Sequence, residues 1–130
     1  MMVEILVAAS IIAISILAAM AVSQKAIQVS RQAFHTTQAA FLLEEGAEAV
    51  RIIRDNGWGN ISALSSGTTY YPGFTGGTWT LSATPGVVGI FTRTVGIASV
   101  KRDGASGNIA GVGTDDPGTK LITVSVSWPE

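Results

Sequence analysis

The N-terminal part of the chain is one uncharged apolar run. It extends from Ile5 to Val22 and contains no charged side chain. As a helix it would measure about 27 Å, close to the hydrocarbon thickness of a bilayer. A buried core helix is the alternative, but the remaining chain from residue 56 to residue 130 is too short to surround such a segment on all sides. The run therefore predicts a transmembrane helix over residues 1–24.

The charges that flank this run are arranged unusually for a membrane anchor. No basic residue precedes it, whereas Lys25 and Arg31 follow it. By the positive-inside rule this arrangement would place the C-terminal part of the chain in the cytoplasm. We expect instead that a basic leader preceded Met1 and was removed on the cytoplasmic side.

After Val22 the pattern becomes amphipathic without a helix-breaking residue. Two apolar series follow each other, one at seven-residue spacing and one at three- and four-residue spacing: Ile27, Phe34 and Phe41, then Leu43, Ala47, Val50 and Ile53. The second series is the natural seat for a sheet. The first either contacts neighbouring subunits or packs inside the same body. Asp55-Asn56-Gly57 is typical of a helix C-terminus, so residues 25–55 are predicted to continue the first helix.

Alternating apolar and polar residues predict strands in the remaining chain, residues 56–130. The strand signals are Thr78–Thr84, Phe91–Val100 with a possible bulge at Gly96, Leu121–Trp128, and a short one at Tyr70-Tyr71. The predicted fold class is α+β, with an antiparallel sheet of three to four strands packed on the C-terminal half of the helix. Four aromatic residues are predicted to lie in its core: Trp58, Trp79, Phe91 and Trp128.

Composition and charge narrow the possible chemistry. Fourteen of the 15 glycines and all four prolines follow residue 55, there is no cysteine, and the net charge is −1 with scattered Lys and Arg. Scattered basic residues do not predict a nucleic-acid-binding surface. No catalytic constellation is found, so we expect neither an enzyme nor a cofactor. Asp115 and Asp116 are weak candidates for calcium ligands, but Thr114–Gly118 is better interpreted as a plain turn.

Glu4 stands one residue before the apolar run. A carboxylate at the edge of a membrane segment is costly in hydrocarbon and usually has a partner. In the first turn of a helix it also interacts favourably with the helix dipole. Two interpretations remain open: an interfacial residue that begins the helix, or a partner for the α-amino group of a neighbouring chain.

The segment Met2–Ile14 resembles the mature N-terminus of type IV pilins and of the pseudopilins of type II secretion. Ala40–Arg51 and Lys120–Trp128 are also similar to that family, more weakly. The resemblance implies cleavage by a prepilin peptidase and methylation of the new amino group. It also implies that Glu4 neutralises the amine of an adjacent subunit and that Met1 supplies that amine. The family's glutamate is fifth and Glu4 is fourth, so the assignment of Met1 depends on the cleavage register.

The function implied is that of a structural subunit in a helical homopolymer. The expected partners are copies of the chain, the inner membrane before assembly, the prepilin peptidase and the assembly machinery. The expected location is a filament on the bacterial surface, serving adhesion, motility or DNA uptake. The apolar residues expected to pack in its core are Ile5, Leu6, Val7, Ile11, Ile12, Ile14, Ile16, Leu17 and Met20. The alternatives are a pseudopilin of a short periplasmic fibre and a monomeric, membrane-anchored binding module.

Overall fold

A long N-terminal helix is the first element of the computed structural model, which describes residues 2–129. Helix α1 spans Met2–Asp55, as expected of a stretch without proline. It ends where the sequence predicts. The Asn56 amide still donates to the carbonyl of Ile52, four residues earlier, whereas the Gly57 amide donates to that of Arg54, three residues earlier, each at 3.0 Å. A short helix, α2, follows at Gly59–Ser62.

The chain divides into two compact units between Gln38 and Ala39. The described part of the first unit is helix alone. The two hydroxyl groups of the apolar run bond within the helix, since Ser10 and Ser15 donate to the carbonyls of Leu6 and Ile11 four residues earlier. Such bonds satisfy polar side chains in an apolar segment without outside partners.

The second unit contains an antiparallel sheet of six strands around the long strand β4. The strands are β1 (Thr69–Thr75), β2 (Thr78–Ser82), β3 (Val87–Val88), β4 (Phe91–Arg102), β5 (Ile109–Ala110) and β6 (Thr114–Ser127). β6 pairs with β4 from Thr92 to Arg102. Because β6 occupies one edge of β4, the strands β3, β1 and β5 share the other, and β2 pairs with β1.

The sheet has more strands than the three to four predicted. The additional strands β3 and β5 have two residues each, too few for a pattern of alternation to show. β6 begins at Thr114, where the sequence predicted a turn over Thr114–Gly118. The predicted bulge at Gly96 is wrong, since Gly96 pairs regularly with Thr123. The irregularity lies instead between Ser99 and Val100, opposite the Asp116-Pro117-Gly118 turn signature.

The core of the second unit lies between the end of α1 and one face of the sheet. Its buried residues are Val50, Ile53, Ile61, Tyr70, Val95 and Ile97. Three of the four predicted core aromatics agree: Phe91 is 5% exposed and stacks edge-on against half-buried Trp128 at 5.6 Å between ring centroids, and Trp79 packs against the core. Trp58 does not, because it is 38% exposed just before the short helix α2.

Candidate functional site

The apolar run of α1 is fully accessible in this chain. Every residue from Met2 to Phe34 is exposed, and an 18-residue window of the helix has a mean hydropathy of 2.8 with none of it buried. The helix is therefore long and apolar enough to cross a membrane. No residue of this run is buried in the described structure, in contrast to the burial expected of a core helix.

The predicted packing residues of this run surround the helix. At about 100° per residue they point in all directions, and each is between 51% and 69% exposed: Ile5, Leu6, Val7, Ile11, Ile12, Ile14, Ile16, Leu17 and Met20. A helix that is apolar all round needs apolar surroundings on every side. A bilayer provides them, and so does a bundle of like helices.

Glu4 lies in the first turn of α1 and is exposed. This position places a carboxylate at the positive end of the helix dipole. Met1, the other residue predicted to take part in assembly, lies outside the described residues. The chain thus carries an acidic group at the start of its apolar helix.

The two apolar series of the amphipathic half behave differently. Val50 and Ile53 are buried against the sheet and Ala47 is half-buried, so the second series is the seat of the sheet, with Leu43 left 38% exposed at its rim. The first series is exposed throughout: Ile27 by 55%, Phe34 by 61% and Phe41 by 67%. The alternative in which both series pack within one body is wrong.

Where the sheet meets α1, a buried arginine points at the helix. Arg93 on β4 is 4% exposed, and its Nη1 donates to Glu45 Oε2 at 2.7 Å and to the carbonyl of Leu42 at 3.4 Å. Its guanidinium carbon lies 5.4 Å from the ring centroid of Trp79. The pair fixes the helix on the sheet by a charge-assisted hydrogen bond.

Gly46 makes that approach possible. A Cβ on Gly46 would lie 2.8 Å from Val124 Cγ1 and 2.9 Å from Arg93 Cδ, closer than side-chain atoms tolerate. The sequence did not predict the pairing of Arg93 with Glu45, 48 residues earlier. The one signal was Gly46 itself, because no other glycine precedes Gly57.

The two candidate calcium ligands lie in strand β6. Asp116 accepts bonds from Arg102 Nε at 2.7 Å, Thr119 Oγ1 at 2.6 Å and the Gly118 amide at 2.9 Å. These donors, the Thr119 hydroxyl first, lower the pKa of Asp116 to about 2. Asp115 stands opposite Lys101 in the β4–β6 register. Among residues 2–129 no three carboxylate or histidine side chains gather where a metal ion could bind.

The chain was also compared with known proteins. No protein-family model, no curated protein and no solved structure matches it.

Proposed function

We propose that this chain is the structural subunit of a type IV pilus-like filament. The observation that carries the proposal is an uncharged helical run that is apolar on every side and exposed along its whole length. Before assembly a bilayer would surround this segment. In the filament, copies of the same helix replace the lipid.

Contacts between helices hold such a fibre together. Dispersion and the removal of apolar surface from water both favour a bundle of helices with apolar residues on all faces. The exposed series Ile27, Phe34 and Phe41 extends the apolar surface beyond the membrane-length run. A fibre core therefore has apolar contacts along more of α1 than a bilayer covers.

Glu4 has a specific task in this assembly. The α-amino group of each subunit enters the fibre core, where an unpaired charge costs several kcal/mol. A carboxylate in the first helical turn of the adjacent subunit neutralises it. A residue that only begins a membrane helix needs no such partner, so the effect of replacing Glu4 distinguishes a filament subunit from a simple anchor.

The second unit is the part displayed outside the fibre core. Its six-stranded sheet serves surface contacts such as adhesion or motility rather than catalysis. The prepilin peptidase and the assembly machinery are the expected partners at the inner membrane. A pilus on the cell surface and a short periplasmic pseudopilus differ in length and location, and electron microscopy of sheared surface material decides between them.

The test is the yield of fibres from cells that produce Glu4→Ala. We expect at least a tenfold loss of sheared filaments while the chain stays in the membrane fraction, because removal of one member of a buried charge pair costs several kcal/mol. Glu44→Ala makes the same substitution at an exposed position later in α1 and is the control. Normal yield from Glu4→Ala would contradict the role of Glu4 in assembly. Sheared filaments from parent cells that contain none of this chain would overturn the proposal and favour a monomeric anchored module.

A further inference from the structure

Strand β6 has a free edge. Among residues 2–129 it pairs only with β4, and the described turns and loops make no backbone hydrogen bond to Leu121–Ser127. This stretch contains neither charge nor proline, the usual devices that keep edge strands from pairing. Its outward N–H and C=O groups are thus available to another strand.

A groove runs beside this edge on the inner side of the sheet. It encloses about 420 Å³ between β6 and the last turns of α1. Half-buried Ile122 and Val124 line it from the strand, and Trp58 lines it near α2. A strand added to β6 would turn every second side chain into this groove, because side chains alternate across a sheet.

The groove is basic. Arg51 and Arg54 of α1 and Lys120 of β6 line it, and none of its lining residues in the described chain is acidic. Arg51 pairs with Glu48 at 3.3 Å and Arg54 with Asp55 at 2.8 Å, but all four side chains are more than half exposed. Exposed ion pairs of this kind contribute little to stability. A carboxylate that enters the groove can therefore compete for both arginines.

We propose that the β6 edge binds an extended segment of a partner protein by strand addition. The segment pairs its backbone with Leu121–Ser127 and places apolar and acidic side chains alternately in the groove. Main-chain hydrogen bonds supply affinity in this mode of recognition, and the groove supplies specificity. The proposal concerns the second unit and does not depend on filament assembly.

The probe is a labelled octapeptide. Its side chains that would face away from the groove are all threonine, and those that would face into the groove alternate between valine and glutamate. Binding to the full chain in non-ionic detergent micelles is measured by fluorescence anisotropy. Two further peptides carry backbone N-methyl groups on alternate residues, in opposite phases. Strand addition predicts that one phase abolishes binding and the other preserves it, because only every second amide faces β6. Equal binding of both phases, or no binding of the parent peptide, would overturn the proposal.

The charge of the groove is tested separately. We expect Arg51→Glu combined with Arg54→Glu to weaken binding about tenfold, whereas Lys25→Glu with Arg31→Glu, the same charge change earlier on α1, leaves it unchanged. A peptide with lysine in place of glutamate should bind the unaltered chain as poorly as the parent peptide binds the double arginine variant. This second test does not depend on whether a variant folds. If the lysine and glutamate peptides bind with the same affinity, the prediction of an acidic partner segment is wrong.

A second copy of this chain is the competing occupant of the edge. Because the chain has no cysteine, Ser125→Cys places one thiol on β6. A disulfide-linked dimer that forms in micelles and resists excess peptide would identify a second copy and overturn the assignment. We expect excess peptide to prevent any disulfide-linked dimer, because the peptide and a second copy would compete for the same edge.

Discussion

Gly46 lies where α1 packs directly against side chains of the sheet. A methyl group there would overlap Val124 Cγ1 and Arg93 Cδ, and neither atom moves easily, since valine is stiff and Arg93 is held by Glu45. Overpacking costs about 1–3 kcal/mol, whereas alanine gains about 1 kcal/mol of helix propensity over glycine.

We therefore expect Gly46→Ala to lower the free energy of unfolding by about 1 kcal/mol, or the melting temperature by roughly 4–8 °C. Thermal unfolding followed by near-UV circular dichroism measures this, since all three tryptophans lie after residue 55. Gly59→Ala is the control because its Cβ would meet open space. A Gly46→Ala variant as stable as Gly59→Ala would show that helix and sheet can separate at no cost.

Asp116 makes stability depend on pH. Its folded pKa of about 2 lies below the ordinary 3.8. A depressed pKa contributes stability in full above the unfolded value, and the contribution disappears as pH falls through the folded value. The difference in unfolding free energy between the parent and Asp116→Asn should therefore be largest above about pH 4 and shrink towards about pH 2.

Urea titrations between about pH 5 and about pH 2 measure this difference. Asp103, whose pKa is also lowered, chiefly by the Ser106 hydroxyl, is present in both proteins, and its effect cancels. Thr119→Val removes the strongest donor to Asp116, so its loss of stability should occur at higher pH than in the parent. A difference that stays constant with pH would contradict this explanation.

At the scale of residues, the sequence was informative where chemistry is local. Glu4 at the start of the apolar run and the helix end at Asp55 follow from neighbouring residues. The Arg93–Glu45 pair does not, because its members lie far apart in the chain, and a charged residue inside an alternating strand gives no sign of its partner. The network that occupies Asp116 likewise depends on the register of β4 and β6.

The amphipathic half of α1 shows how one element can serve two surfaces. Ile53 is 5% exposed against the sheet, whereas Phe41 is 67% exposed and Phe34 is 61% exposed. Deletion of a buried isoleucine side chain to alanine costs about 2–5 kcal/mol, and an exposed residue costs little on its own. Sequence periodicity separated these two series because helical spacing places them on different faces.

We expect Phe34→Ala combined with Phe41→Ala to leave the melting temperature of the second unit within about 2 °C of the parent and to reduce the yield of filaments. Ile53→Ala, in contrast, should lower the melting temperature of the second unit strongly. Calorimetry in micelles gives one quantity and electron microscopy of sheared material gives the other. A double variant that assembles normally would show that this face has no role between subunits.

The strands were less predictable than the helix. Alternation located β2, β4 and the second half of β6, since each buries one face. It missed β3 and β5, which are too short to alternate. It also missed the first half of β6, where Asp116-Pro117-Gly118 has turn chemistry but lies within a strand opposite the Ser99/Val100 irregularity. Register between distant segments, rather than local propensity, decides these features.

At the scale of the whole molecule, all buried hydrophobic residues of the described chain lie from Ala39 onward. The second unit begins at the same residue. None of its core residues precedes Ala39, and Val50 and Ile53 supply the helix's share of the core. The apolar run thus supplies none of the buried core residues of the second unit.

A polypeptide of residues 39–130 should therefore fold without detergent. We expect it to unfold in one cooperative transition, as small single domains do, within a few degrees of the full chain in micelles. The Arg93–Glu45 pair and the stacked rings of Phe91 and Trp128 remain intact in it, so its near-UV circular dichroism should match that of the full chain.

A polypeptide that begins at residue 51 is the matched control, because it lacks Glu45, Gly46 and Val50 and exposes the inner face of the sheet. If residues 39–130 behave as poorly as residues 51–130, with gradual unfolding and aggregation, then the apolar half of α1 stabilises the body after all.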